Sequence, residues 1–419
     1  MLRRSFVFSA AALAGTGVSL TSARSQGRAF ESSGDPLFDA WRSDFFDRSV
    51  QAGWPADLLQ TQLTGLTPDP GVSSSDAKQP EFSRPVSDYL RGVVSDERVS
   101  IGRGKLQTLS FLPHVEQRFG VPKEILVAVW AMESAFGKIQ GTKDVLRSLA
   151  TLAAQGRRRS WAEGELYACL KIIASGEVTR ERLKGSWAGA MGQTQFLPSN
   201  YLNVAVDEDG DGKRDIWSSD ADALASAASL LAKGGWQRGV GWAREVILPD
   251  DFDYGQTEET RIPVRQWLSQ GVRRADGLAF SSADSAADAN LLLPAGAAGP
   301  AFLALPNHYA IRKYNNSTSY ALGIGLLADR MGGDGPLRTP WPVEAPMSLA
   351  DRQAAQVALS NLGFDPGAPD GVIGAGTRKA LRAWQKTAGV PADGYLSADM
   401  VRRLQAAANF GVAVPPPPR

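Results

Sequence analysis

Between residues 26 and 245, apolar positions recur three and four apart in runs separated by Gly, Pro and Asp. That pattern predicts a succession of helices. The texture changes over about 246–305. There "VILPDDFDYG" and "TRIPVRQWLSQGV" are short apolar runs between turn residues, and the Ala/Ser-rich "SSADSAADANLLLPAGAAGP" follows. Together they predict a small strand-containing insertion. Helical spacing returns in "YALGIGLLADRM", 320–331, and then breaks in a Gly/Pro-rich stretch over 332–346. Residues 26–335 are therefore read as one domain and 336–346 as a linker. A compact unit of three helices is expected over 347–409. Ser348 is placed to cap the first of these and Gly363 to end it, Ser397 caps the third, and Asp370-Gly371 and Asp393-Gly394 mark turns. The tail 410–419, with its run of prolines, is expected to be disordered. No long-period repeat of the solenoid kind is evident. The fold class is mainly α (α+β).

One helix carries a charge where its pattern asks for none. "ILVAVWAMESAFG", Ile125 to Gly137, has Pro122 near its start and Gly137 placed to end it. Ile125, Leu126, Val129, Met132 and Phe136 form an apolar stripe at helical spacing, and Glu133 falls on that stripe. A buried Glu paired with a nearby Arg would account for it. So would a general acid, a carboxyl kept protonated by a low-dielectric wall.

Composition narrows the chemistry. The 419 residues suffice for two or three domains, and 45 Lys+Arg against 44 Asp+Glu, net +1, give no sign of nucleic-acid binding. One cysteine, Cys169, allows neither an internal disulfide nor a Cys-based zinc site, and it lies in an apolar helical run. The two histidines, His114 and His308, sit in no recognisable catalytic signature. Carboxylates are thus the expected carriers of chemistry. At the N-terminus, Arg3 and Arg4 precede an apolar stretch and small residues around 23–25. Residues 1–25 read as a secretory signal, with a resemblance to the twin-arginine type. No Cys lies near the cleavage site, so no lipid anchor is expected, and the mature protein should be exported and soluble.

Four further stretches stand out. "RRRSWAEGEL", 157–166, sets Arg157 and Arg158 either on a solvated helix end or along an anionic or sugar-rich groove. "GSWAGAMGQTQFLPSNY", 185–201, surrounds Trp187 and Met191 with small residues. It reads either as a tight turn or as a close backbone approach to a ligand, with Ser186, Gln193 and Gln195 offering hydrogen bonds. "DEDGDGKRDIW", 207–217, sets Asp207, Asp209 and Asp211 at positions 1, 3 and 5 of a calcium loop, Gly212 at 6 and the Lys213 carbonyl at 7. Asp215 falls at position 9, but Ser218 stands where a Glu is required, so Asp220 or Asp222 would have to close a longer loop. An acidic surface turn is the alternative. "RKYNNSTSYALGIG", 312–325, combines Tyr314, Asn315, Ser317 and Tyr320, a mix suited to sugars and equally to a strand-to-helix junction.

Taken together these motifs resemble the lytic murein transglycosylases of family B, whose core is similar to goose-type lysozyme. "ESAFG" matches that family's E-[ST]-x-[FWY]-G. Arg157, Arg158, Trp161 and Glu165 match R-R-x-x-aromatic-x-x-E-L. Gly185 to Tyr201 match G-S-x-A-G-A-M-G-x-x-Q-F-x-P-S-x-Y, and Tyr314 to Tyr320 match Y-N-x-S-x-x-Y. Tyr89 lies where a groove tyrosine is expected. The chain departs at Gln193-Thr194, where the family usually has an aromatic residue and Gly. The resemblance covers roughly 30–335. "DGVIGAGTRKALRAWQ" resembles the three-helix peptidoglycan-binding domain over 347–409. The resemblance implies a lysozyme-like catalytic domain cleaving the MurNAc-β-1,4-GlcNAc bond of peptidoglycan to 1,6-anhydro-MurNAc, with Glu133 as acid and then base. Ser186, Gln195, Tyr314, Asn315, Tyr320, Arg157, Arg158, Tyr89 and Met191 would contact substrate. Asp207, Asp209, Asp211, Lys213 and Asp222 would form the loop for a structural calcium, and no cofactor is needed for the chemistry. It further implies a monomer in the periplasm of a Gram-negative bacterium, with glycan strands as partner and cell-wall synthesis proteins as further candidates. A hydrolytic muramidase, a non-catalytic wall-binding protein and a calcium-dependent structural module are the rival readings.

Overall fold

The computed structural model describes residues 30–77, 85–257 and 260–410. The signal at 1–25 and the tail beyond 410 lie outside them. At the centre stands the helix Lys123–Ser134. Ile125 to Ala131 are buried without a break, so the helix is apolar on every side rather than along one stripe, as befits an element surrounded by others. Helices Asp96–Thr108, Leu112–Phe119, Asp220–Lys233 and Thr318–Gly332 pack around it. The helix stops at Ser134, three residues before Gly137. Ala135, Phe136 and Gly137 all turn left-handed, with φ of 50°, 61° and 82°.

A second core lies beside the first. It is built from helices Pro36–Gln51, Val145–Ala154, Arg159–Ser175 and Pro198–Val204, around Phe45, Leu149, Leu166 and Tyr201. Its entry helix is pinned by Arg42, which is 1% exposed and donates to the carbonyls of Leu66 and Glu31 and to Asp39. Cys169 is buried in this core.

The insertion forms a five-stranded antiparallel sheet. In spatial order its strands are Arg261–Pro263, Asp288–Leu292, Ala301–Ala304, Ala243–Ile247 and Arg273–Arg274. Helix Val264–Ser269 seals one face through the fully buried Trp267. Trp242, just before the second-to-last of these strands, drives its indole onto Gly325 of the helix Thr318–Gly332 and so joins sheet to bundle.

The stretch after this helix has no helix or strand until Leu349, yet it is tied down. Glu245 accepts from the backbone N–H of Arg338 and Thr339, and Trp341 stacks on Phe302. Three helices follow, Leu349–Asn361, Ala375–Thr387 and Ala398–Phe410, packed around Leu359, Leu381, Trp384 and Leu404. Ser348 and Asp351 form a reciprocal capping box at the first. This unit touches the larger one where Asp393 accepts from the N–H of Ala297 at 2.7 Å.

Gly325→Ala should be poorly tolerated, because a Cβ there would fall inside the rigid Trp242 ring. A loss of about 1–3 kcal/mol is expected, read as a lowered denaturant midpoint at unchanged slope.

Candidate active site

Glu133 occupies the last turn of the central helix, deep among packed side chains but still partly open to solvent. Burial pushes its pKa up from 4.5 to about 7, and only the hydroxyl of Tyr320, donating to Oε1 at 2.5 Å, pulls the other way. Among the described residues no cation and no second carboxylate acts on it. The buried Glu–Arg pair, open on sequence alone, is therefore absent. The group is held protonated near neutrality by desolvation.

Directly beyond Glu133 the chain reverses. After Ser134 the left-handed run swings the backbone round. The Ser134 hydroxyl accepts from Gly137 N at 2.9 Å and donates to the Gln193 carbonyl at 2.5 Å. Gln193, 3% exposed, is the hub. Its Oε1 accepts from Trp130 Nε1 at 2.8 Å, its Nε2 donates to Asp220 at 3.0 Å, and its N–H reaches the Ile216 carbonyl. At Gly137 any Cβ would strike the Gln193 amide, so both the left-handed angle and the close approach require glycine. The sequence marked Gln193 as a hydrogen-bonding residue and as a departure from the family pattern, but not as the partner of Trp130. A buried Trp needing an acceptor for its N–H was the available signal that a polar partner lay opposite.

The other expected residues fall into three groups. Tyr320, Tyr314 and Tyr89 come together with Glu133. Tyr320 is 5% exposed. Tyr314 donates to the Thr194 carbonyl at 2.5 Å and feels the charge of Glu133. Tyr89, on helix Val86–Val93, lies close enough to influence Tyr320. Asn315 is exposed beside Tyr314 at the end of helix Pro306–Tyr314.

A second group shapes the neighbouring loop. Ser186 closes the turn 186–190 by accepting from the N–H of Ala188 and Ala190, so its hydrogen is what it can offer a ligand. Gln195, at φ 51°, spends its amide N–H groups on the carbonyls of Gln140 and Gly192. The reversal Gly137–Thr142, with Lys184 and Trp217, borders an open cleft of about 570 Å3.

The third group makes its own local contacts. Met191 is 0% exposed in the second core and pairs through its backbone with Phe196 in both directions, so it packs the loop rather than touching a ligand. Arg157 and Arg158 lie in the turn between helices Val145–Ala154 and Arg159–Ser175. Arg158 lies 3.8 Å over the Trp161 ring. Glu165 is structural, accepting from the N–H and hydroxyl of Ser199 at the start of helix Pro198–Val204.

In the acidic loop, one carboxylate oxygen each from Asp207, Asp209 and Asp211 lies within 4.8 Å of the others. Asp222 does not join them, which corrects its expected role. It is 0% exposed and spends both oxygens on the N–H groups of Glu208, Asp209 and Asp215. Asp220 is engaged by Gln193, and Asp215 by Arg182 and Ser218. The donor set that fits a cation is the three aspartates, with the Lys213 carbonyl following in the chain.

Tyr320→Phe removes the one bond that favours the charged form of Glu133, so its pKa should rise above about 7, read by carboxyl 13C titration. Linkage gives a second outcome. A raised folded pKa means the stability present below pH 4.5 is lost as pH rises through about 7. Glu133→Gln should therefore melt above the wild type at pH 8, by up to about 3 kcal/mol, and match it at pH 4.

Comparison with known proteins agrees with this architecture. Residues 37–329 match the family described as transglycosylase SLT domain, and residues 348–404 match the peptidoglycan binding domain family. Membrane-bound lytic murein transglycosylase B of Escherichia coli K12 is 34% identical over 217 residues, 50% of this chain and 57% of that protein. The chain thus spans little more than half the length of that relative. The crystal structure of SltB3 from Pseudomonas aeruginosa with NAG-anhNAM-pentapeptide is 47% identical over 88% of this chain and 100% of that one, TM-score 0.83. The Escherichia coli lytic transglycosylase Slt35 with calcium is 28% identical over 70% and 92%, TM-score 0.60. With most of its length matched by the first family and its three C-terminal helices by the second, the chain belongs to the SLT-domain lytic transglycosylases and carries a peptidoglycan-binding domain.

Proposed function

We propose that this protein cleaves the MurNAc-β-1,4-GlcNAc bond of peptidoglycan without water, leaving 1,6-anhydro-MurNAc ends, and that Glu133 serves as acid and then base. The observation that carries the reading is a single carboxyl, largely desolvated, with its pKa raised to about 7 and, among the described residues, no second carboxylate acting on it. Two-carboxylate glycosidases place their pair across the bond. A lone acid needs its second function from the substrate.

Protonated Glu133 gives its proton to the leaving glycosidic oxygen as the C1–O bond breaks. The N-acetyl carbonyl of MurNAc supports the positive charge at C1. The carboxylate just formed accepts the hydroxyl proton of O6 as O6 bonds to C1. The proton lost is regained, and no water enters. Tyr320 contributes at the intermediate stage, where its hydroxyl stabilises the carboxylate. Ser186 and Asn315 would orient the sugar and its N-acetyl group, with Tyr89 and Tyr314 as walls. The anhydro sugar named in the ligand of the SltB3 crystal structure supports this product.

The protein is read as exported to the periplasm of a Gram-negative bacterium and working there as a monomer on glycan strands. Among the described residues no helix is long and apolar enough to cross a membrane. Calcium is proposed as a structural ion at Asp207, Asp209 and Asp211, supported by a relative crystallised with calcium.

Digestion of purified sacculi followed by mass spectrometry tests the reaction. Wild type should release anhydro-MurNAc ends, and Glu133→Gln should be slower by about 100-fold or more. Reducing MurNAc ends instead would identify a hydrolytic muramidase. The rate should fall above about pH 7 as Glu133 loses its proton. Millimolar calcium should raise the melting temperature by a few degrees, about 2–3 kcal/mol at saturation, and Asp209→Asn should abolish the shift.

A further inference from the structure

The C-terminal unit is built twice from one plan. In the first copy Gln356, 1% exposed, accepts from Gly371 N at 2.7 Å and donates to Asp370 Oδ1, which also accepts from Val372 N. In the second, Gln385, 0% exposed, accepts from Gly394 N at 2.8 Å and donates to Asp393 Oδ1, which also accepts from Tyr395 N. Both glycines are left-handed, at 77° and 71°. Gly371 faces Leu349 and Gln353, and Gly394 faces Arg378 and Arg382. The two glutamines and both pairs of facing residues are each separated by the same 29 positions. The copies are equivalent turns on equivalent helices.

They differ in occupancy. The second turn grips a peptide of this same chain. Asp393 Oδ2 accepts from Ala297 N at 2.7 Å, and Tyr395 lies against Gly296. Gly296 is left-handed, at φ 66°, and an L-configured Cβ there would collide with Asp393 and Tyr395. In the first turn Asp370 is exposed, and its Oδ2 accepts no hydrogen bond among the described residues. Beside it Val372 and Leu349 are 66% and 54% exposed, an apolar pair flanking the carboxylate.

We propose that the Asp370–Val372 turn is a peptide-binding subsite, and that its ligand is the stem peptide of peptidoglycan. The internal mimic defines the chemistry. The turn takes a backbone N–H that follows a residue with positive φ, and the residue after its glycine leaves no room for an L-configured Cβ. Glycine reaches positive φ freely, and so does a D-amino acid. Wall peptides carry D-alanine followed by a further amide, which supplies both features. An ordinary L-peptide supplies the N–H but resists the angle. Asp370 Oδ2 would accept that N–H in a charge-assisted bond, with the peptide backbone lying against Val372 as Gly296 lies against Tyr395 and the D-alanine methyl turned away from the turn. The inference rests on the wall-directed reading above and names the part of the polymer that this domain holds.

Co-sedimentation with purified sacculi tests it, using the full chain in a Glu133→Gln background so that the polymer persists. Asp370→Asn keeps Oδ1 for Val372 and Gln356 but turns the outward oxygen into a donor. Binding should fall by about ten-fold with the melting temperature unchanged. Val372→Ser should weaken binding as well. Sacculi stripped of stem peptides by an amidase should bind the parent as poorly as intact sacculi bind the Asp370→Asn protein. A free pentapeptide ending in D-Ala-D-Ala should compete, and its all-L counterpart should not. Equal binding by Asp370→Asn and its parent would overturn the subsite. So would an Asp370-dependent signal that persists on stripped glycan, which would assign the amide to the N-acetyl groups. The release of anhydro-MurNAc by the wild type is read separately, so loss of this inference leaves the reaction standing and the reverse also holds.

Discussion

A carboxyl group shielded from most water, with one tyrosine hydroxyl 2.5 Å away, is the contact around which the larger unit is arranged. Desolvation holds the proton on Glu133, and the Tyr320 bond limits how far its pKa climbs. Each influence needs walls that do not move. Were water to enter beside Glu133, its pKa would fall back and the acid would be lost. The all-round burial of Ile125 to Ala131 makes the helix a fixed post. Tyr320 hangs from the first turn of the helix Thr318–Gly332, which Ser317 caps and which packs directly on that post.

Backbone strain is concentrated where those walls close. Among the described residues, the non-glycine positions with positive φ are Ala135, Phe136 and Gln195. All three border Glu133 or the loop that faces it. Each left-handed residue costs of order 1 kcal/mol or more, and such conformations persist only when their surroundings over-determine them. Here the Gln193 amide, the Ser134 hydroxyl and the Trp130 N–H supply that determination, because satisfied buried hydrogen bonds hold both strands of the reversal at once. The strain holds the chain at the one place where a carboxyl must stand at the edge of the core without a counter-charge.

Helix spacing, the change of texture near 246 and the Gly/Pro break were enough to read a helical body, a small sheet and a three-helix terminus. The acid itself was visible as a charge among apolar residues. Less visible were features that depend on tertiary partners. Local spacing could not say whether Met191 faced a ligand or the second core, because small neighbours suit either position. Asp222 continued an acidic run and so looked like a ligand, but only the fold shows three backbone N–H groups converging on it. Gln193 was the reverse case. A residue that broke the expected pattern proves to tie together the central helix, the reversal and the helix Asp220–Lys233.

Asp329 shows why a perturbed pKa alone does not mark the catalytic group. Burial raises it, like Glu133, to about 7. It lies nine residues beyond Tyr320 on the same helix, so about 13 Å separates the two along the axis. Its surroundings are of another kind. Trp242 donates to it at 3.0 Å, the charges of Arg244 and Arg274 favour its ionised form, and it borders a cavity of about 560 Å3 between sheet and linker. A carboxyl with cations nearby and an indole donor has its charged form pinned in place, tying sheet to bundle. Among the described residues Glu133 has no cation to settle its charge, and a tyrosine bonds its charged form. It can therefore lose and regain a proton at similar cost, which is what a group acting first as acid and then as base requires.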